Sequence, residues 1–593
     1  MNQIPSRPRI HWLSAVVILC LGALALLIVR LVPTTELQVR NIILFVVGLV
    51  TLFLLVLWWL FASRSPWRLR LGVFAVFLVL AGSFASAFRF HGVTGDFIPI
   101  LKARWTQPAT SAFEKGLDNP ALDHSGRADF PQYLGPDRNA VIADGTELAR
   151  DWEKEPPQVL WRQPIGPAWS GFAIVGNRAV TFEQRSDSEV VVCLDILTGK
   201  LLWEHADTAR FASSFGDVGP RSTPTISGGR VFTYGATGIT NCLDLATGRL
   251  IWQRAMSKDA PKGRPEWGYA GSPLVLGDKV IVSAGQSHNK SLFAYRLADG
   301  ELAWRNGSQP AEYASPAFLT LAGVPQIVSF NMICITAHDP ATGEILWEYP
   351  WGRRQPCCAQ PVPVGANRVV FSSGYGVGCE LLEIERDAAG KLSARSIWKT
   401  LNLKAKMAAF IHRDGHLYGL DDGTLTCIDL RDGSRKWKSG RYGHGQLLFV
   451  GDVLLVTAES GEVFLLAPTP DGPNELARFR VFNAKTWNPP ALSGDLLLMR
   501  TDQEVACVRL PTVKKPQAVS SSPAHRDNDD RARAVLEDAG DHAAAEEVVE
   551  RSTAVGTKND VVCGKHFCLI KNFVRRQPEG GFACDIEARG AER

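Results

Sequence analysis

Asp195-Ile-Leu-Thr-Gly199-Lys-Leu-Leu-Trp203 decides the fold of this chain, because it returns. It recurs as Asp244-Leu-Ala-Thr-Gly248-Arg-Leu-Ile-Trp252 and as Asp339-Pro-Ala-Thr-Gly343-Glu-Ile-Leu-Trp347. Looser copies read Arg296-Leu-Ala-Asp-Gly300-Glu-Leu-Ala-Trp304 and Asp429-Leu-Arg-Asp-Gly433-Ser-Arg-Lys-Trp437. A spacing of roughly 40–50 residues with strand-rich flanks is that of a propeller or another repeat array. Within one unit, Phe172-Ala-Ile-Val, Arg178-Ala-Val-Thr-Phe, Val190-Val-Val-Cys-Leu and Leu201-Leu-Trp203 read as four short strands. Gly176-Asn177 and Thr198-Gly199 sit where the connecting turns need them.

The fourth-strand positions are Trp161, Trp203, Trp252, Trp304, Trp347, Trp398 and Trp437, with Phe479 in the eighth place. The expected fold class is therefore all-β, an eight-bladed propeller; the rival is a seven-bladed ring with one extra hairpin. The last repeat stops after its third strand, near Glu504-Val-Ala-Cys-Val-Arg-Leu510, and the strand around Trp161 has no blade before it. Docking that first strand onto the last blade closes the ring and removes two open edges. Each repeated residue has a task. Gly supplies positive φ, Asp and Thr tie the turn through side-chain hydrogen bonds, and Trp lays a large flat surface on the neighbouring blade. Cys193, Cys242 and Cys427 stand two residues before the motif's Asp, and Cys507 two before Arg509. Ala294 fills that slot in the third blade, so the position calls for a small buried residue, and packing rather than disulfide bonding is expected.

With 593 residues the chain exceeds a single ordinary core. Residues 12–29, 42–62 and 71–88 each run without a charge at the length of a bilayer-crossing helix. Arg7 and Arg9 precede the first run, and Arg64, Arg68 and Arg70 separate the second from the third. The positive-inside bias then places the N-terminus in the cytoplasm and everything after the third span across the membrane, in the periplasm of a bacterium. The expected organisation is a three-span anchor over 1–90, a linker over 91–157, the propeller over 158–511 and a low-complexity disordered tail over 512–593. In that tail Cys563, His566, Cys568 and Cys584 do not have standard zinc spacing. The net charge of +4, from 64 Lys+Arg against 60 Asp+Glu, gives no pull toward nucleic acid.

The motif Asp-x-x-Thr-Gly-x-x-x-Trp resembles the pyrroloquinoline quinone (PQQ) repeat, the tryptophan-docking unit of quinoprotein alcohol dehydrogenase-like propellers. The same repeat builds BamB-type outer-membrane assembly scaffolds, which hold no cofactor. The resemblance runs over 159–510. Phe130-Pro-Gln-Tyr-Leu-Gly-Pro136 and Lys485-Thr-Trp487-Asn488-Pro-Pro490 also look like segments of such propellers. It implies one of two activities. One is a membrane-anchored binding or scaffold module engaging a periplasmic protein or small ligand. The other is a PQQ- and Ca²⁺-dependent dehydrogenase that oxidises an alcohol or sugar and passes electrons to membrane quinone.

Residues leading into each innermost strand face the central funnel of such a ring. Here they include Asp217, Arg221, Glu266, Trp267, Tyr269, Glu312, Tyr313, Arg353, Lys406, His444, Trp487 and Asn488. Under the dehydrogenase reading Asp217 or Glu266 is the candidate base, and the others are candidate cofactor contacts. Ca²⁺ asks for oxygen ligands, but the metal ligands of the quinoproteins find no residue-by-residue match, so the metal set stays open. The adjacent Cys357-Cys358 resembles the bonded pair on which some quinoprotein alcohol dehydrogenases stack PQQ, although it falls in the fifth blade; two free cysteines are the competing reading.

Overall fold

The computed structural model describes residues 12–32, 36–106, 111–116, 121–123, 126–213, 216–286, 288–352 and 354–513. The expected tail, with its cysteines and His566, lies outside them from residue 514 on, and so does Arg353.

Three apolar helices come first: α1 (Trp12–Leu31), α2 (Leu37–Leu57, extended by a π-turn to Ala62) and α3 (Trp67–Ala87). Each is long and apolar enough to cross a membrane. They outrun the charge-free stretches because polar and basic residues, Arg40 and Arg68 among them, extend the helices into the flanks. Trp58 is a packing residue between α1 and α2, its indole N–H donating to Ser14 Oγ at 2.8 Å.

Eight four-stranded units follow in a ring. Their inner strands begin at Ala173, Thr225, Leu274, Ala317, Val362, Ala405, Gln446 and Ala491. The first strand, Gln158–Pro164, pairs antiparallel with Glu504–Arg509 and completes blade eight, with Trp161 opposite Cys507. Arg500 reinforces this closure. It is fully buried and donates to the carbonyl of Gly166 at 2.7 Å and to Thr181 Oγ1 at 3.1 Å.

The repeat motif is a docking device between blades. The Trp161 indole N–H donates to the Ile196 carbonyl at 2.9 Å, Trp203 to Leu245 at 2.8 Å, Trp252 to Leu297 at 2.9 Å and Trp398 to Leu430 at 2.8 Å. Each acceptor follows the first residue of the next blade's motif. Asp195 Oδ1 accepts from both the backbone and the hydroxyl of Thr198 at 2.9 Å, shaping that turn. Gly199, at φ +71°, is needed twice over: a Cβ there would sit 2.7 Å from the Trp161 ring. Blade five lacks the motif, its turn reading Asp387-Ala-Ala-Gly390, and there Trp347 bonds Gln326 of its own blade. The small slot is the position across from each tryptophan: Cys193 faces Trp203, Cys242 Trp252, Ala294 Trp304 and Cys427 Trp437. These cysteines are buried and unbonded.

Residues between α3 and the ring pack into both mouths of the axial channel. A hairpin, β1 (Phe88–Val93) and β2 (Pro99–Ala103), lies over the mouth where the inner strands begin. The stretch 126–152 fills the opposite mouth. Phe130 exchanges two backbone hydrogen bonds with Ile174, Pro131 accepts from Ile226, and Val141–Ile142 runs parallel to Phe449–Val450. Arg138, deeply buried, donates to the carbonyls of Ser272 at 3.1 Å and Pro273 at 2.9 Å. This floor joins blades one, two, three and seven, so the stretch expected as a linker braces the ring.

Candidate functional site

Floor and hairpin enclose a cavity of about 170 Å³ on the ring axis. Its walls are aromatic because the residues leading into the inner strands converge there, as the propeller geometry requires. Trp267 stacks on Tyr313 with ring centroids 5.1 Å apart and planes 21° apart. Trp169 and Trp487 meet across the seam between blades one and eight at 5.1 Å. Tyr375 and Cys358 add to the wall, and Tyr133 rises from the floor.

Two cations line the cavity, Lys406 and Arg221. Lys406 is almost wholly buried, lies 4.6 Å from the Tyr375 ring centre and hydrogen-bonds Gln38 at the start of α2. Burial pushes its ammonium below the ordinary lysine range. Arg221 stacks over Phe211 at 4.5 Å, donates to the Asp217 carbonyl at 3.2 Å and is pushed down to about 10 by burial. Beside the cavity, Glu312 is buried against Cys357, whose backbone N–H donates to it at 3.3 Å. Burial raises its carboxyl to about 7, so near neutrality much of it is uncharged.

The roof is tied to both the ring and the helices. Gly95 N–H donates to Glu459 Oε1 at 2.7 Å, and the Trp487 indole reaches the same oxygen at 3.0 Å. Burial would raise Asp96, but hydrogen bonds from His444 and Arg441 outweigh it and hold the carboxyl at about 2. Asn41 of α2 donates to the Asp96 carbonyl at 2.9 Å. The start of α2 and the end of α3 thus meet the same mouth of the ring.

Of the residues the sequence singled out, Arg221, Trp267, Tyr313, Lys406 and Trp487 line the cavity. Asp217 does not. It sits at φ +59° under the hairpin with its carboxylate 2.6 Å from Lys485. Glu266 is exposed. Tyr269 is core, packed on Tyr234 with centroids 5.0 Å apart. His444 is buried beneath the hairpin turn, 3.5 Å from Asp96. Asn488 is a tie across the seam, donating to the carbonyls of Ala168 at 3.0 Å and Ser170 at 2.8 Å. Reasoning from repeats missed Glu459, Tyr375, Tyr133 and the roof, which come from outside the inner-strand approaches or from irregular chain. Lys485 had a visible signal in Lys485-Thr-Trp487: its ammonium lies 4.7 and 4.2 Å from the Trp169 and Trp487 rings.

The donor set bears on a metal. Among the described residues, no three His, Cys, Asp or Glu side chains are grouped as a metal site would require. Asp217, Glu266 and Glu312 point to a salt bridge, to solvent and to a backbone N–H respectively, so they do not assemble an oxygen cage for Ca²⁺. Cys357 and Cys358 are unbonded.

The family-model comparison agrees with the architecture. The family model described as outer membrane protein assembly factor BamB matches residues 146–266 and 187–439. The chain is a PQQ-like repeat β-propeller carrying three candidate membrane helices. Among solved structures it is similar to BamB from Moraxella catarrhalis, at 17% identity over 60% of this chain and 98% of that one, TM-score 0.44. It is similar also to the quinohemoprotein alcohol dehydrogenase from Comamonas testosteroni, at 12% identity over 66% and 82%, TM-score 0.48. A quinohemoprotein alcohol dehydrogenase from Pseudomonas putida HK5 matches at 13% identity over 68% and 82%, TM-score 0.48. No curated protein matches the chain in sequence.

Proposed function

We propose that this protein is a multi-pass inner-membrane protein whose propeller stands in the periplasm and works as a binding module, taking a small ligand into its axial cavity. The observation that carries this reading is the cavity itself, with aromatic walls, two cations among its lining residues and a roof continuous with the helices. Small-molecule sites take this form: concave, mostly apolar, with a few convergent polar groups. With the Glu312 carboxyl raised to about 7 and so only about half ionised near neutrality, it offsets Lys406 and Arg221 only in part, which suits a flat ligand bearing an anionic group. The arginines flanking the helices support the periplasmic placement. A scaffold role for the ring's outer surface is compatible with ligand binding at its axis.

The dehydrogenase reading shares the aromatic walls and the cations but asks for calcium ligands that the described carboxylates do not assemble. One experiment separates the two. The full chain in detergent is titrated with PQQ, with and without Ca²⁺, and with a panel of aromatic carboxylates, following tryptophan fluorescence. Saturable, calcium-independent quenching that Lys406→Met abolishes supports the binding module. Calcium-dependent PQQ binding with dye reduction on alcohols or sugars overturns it in favour of the enzyme. No saturable quenching at high micromolar ligand removes the axial site.

A further inference from the structure

We propose that the cleft between the β1–β2 hairpin and the ring is a headgroup site for an anionic phospholipid. The cleft, about 660 Å³, is separate from the axial cavity. Its charged and titratable lining is Arg89 and His91 from the hairpin, Arg185 and Arg210 from blade one and its exit, Asp217, and Asp502 from blade eight.

The carboxylates there are already matched. Asp502 lies 2.9 Å from His91 and 3.8 Å from Lys102, and Asp217 lies 2.6 Å from Lys485. Arg185 is held between Glu183 and Glu204. Arg89 and Arg210 have no carboxylate partner among the described residues. Arg89 donates to the Thr106 carbonyl at 2.8 Å and Arg210 to the Ser186 carbonyl at 2.6 Å. The Arg89 Nε is buried without an acceptor. A buried charged donor lacking an acceptor is costly, and a phosphate oxygen is the acceptor that a guanidinium fork matches best.

The position of the cleft says where that phosphate comes from. Ala87 ends α3 and Phe88 begins the hairpin with no linker. Strand alternation turns Arg89, His91 and Lys102 toward the ring and leaves Phe88, Phe90 and Leu101 outward, 37%, 53% and 47% exposed. Phe84, Phe88 and Trp105 form a run of ring contacts at 5.0 and 6.3 Å from the helix onto the hairpin. Such an aromatic band marks the membrane–water interface. The outward apolar face therefore continues the surface of a candidate span, and the arginine cleft opens at headgroup depth. Acyl chains have α3 to lie along; free phosphate has no use for that face. Two guanidiniums without carboxylate partners at this depth favour a headgroup of net negative charge.

The test uses the full chain in neutral detergent with native mass spectrometry, offering phosphatidylglycerol, phosphatidylcholine or inorganic phosphate. The expected result is retention of phosphatidylglycerol at about tenfold preference over phosphatidylcholine, with Arg89→Gln/Arg210→Gln removing that preference. The equal-charge control Arg249→Gln/Arg305→Gln, both exposed on the ring, should keep it. Equal retention of both lipids, or equal loss in the control, overturns the proposal. Displacement of the lipid by millimolar inorganic phosphate overturns the choice of lipid as ligand. Should the double variant not fold, Arg210→Gln alone carries the test, because its one hydrogen bond is to an exposed loop. None of these outcomes depends on the axial cavity binding anything.

Discussion

Glu312 offers a direct check on the electrostatics of the axial site. Its carboxyl is raised from 4.5 to about 7 by burial, so the folded protein holds a proton that the unfolded chain releases earlier. Below about pH 4.5 both states are protonated and the group contributes no difference. As pH climbs, the unfolded carboxyl ionises first, and folding loses stability until the folded group follows near 7. At 1.36 kcal/mol per pH unit, the full loss above that point is about 3 kcal/mol. Glu312→Gln keeps an acceptor for the Cys357 N–H and removes the titration. The variant should match the parent near pH 4.5 and exceed it by about 3 kcal/mol at pH 8. Denaturant unfolding of the full chain in detergent, followed by tryptophan fluorescence at several pH values, reads the difference curve. A pH-independent gap, or a variant weaker at pH 8, would refute the claim that burial raises the Glu312 carboxyl toward neutrality, and with it the cationic character assigned to the cavity.

Three further outcomes follow from the packing. Gly199→Ala meets both a left-handed backbone and the Trp161 ring, whereas Gly228→Ala at φ +56° meets open space. Thermal melts should show a loss of about 1 kcal/mol at Gly228 and clearly more at Gly199. Asp96→Asn removes the charge that His444 and Arg441 hold. The stabilisation from Asp96, about 2 kcal/mol, is present above the unfolded value of 3.8 and fades as pH falls through about 2, so at pH 7 the variant should speed hydrogen exchange at Gly95 and Phe97. Arg500→Met strips the closure of its bonds to Gly166 and Thr181. The Gly166 and Phe182 carbonyls and the Thr181 hydroxyl it leaves buried should cost several kcal/mol, on the order of 3, read as a lower urea midpoint.

The ring was readable because its information is periodic. Asp195, Thr198, Gly199 and Trp203 perform local tasks that repeat, and the unmatched Trp161 strand could pair only where a blade was short. The roof and floor were not readable in the same way. Gly95 meets Glu459, and Arg138 meets Ser272, across long sequence separations and from chain without regular structure, so no local period marks them. The candidate site was half legible for the same reason. Propeller geometry points every inner-strand approach toward the axis, which located Trp267, Tyr313, Lys406 and Trp487. It does not say how far a side chain reaches, so it could not separate the exposed Glu266 or the core Tyr269 from the residues that line the cavity. Asp217 was misplaced because Lys485, distant in sequence on the approach to blade eight, draws its carboxylate beneath the hairpin.

The seam at Gln158–Pro164 sets an order for biogenesis. These residues emerge from the ribosome soon after the three helices, yet their partner, Glu504–Arg509, is made some 340 residues later. Until then Leu160 and Trp161 form an unpaired edge, and none of the blades is locked into a circle. Maturation therefore completes only when the last blade arrives, and a nascent chain stalled before residue 504 would present a sticky ribbon for chaperones or proteases to seize.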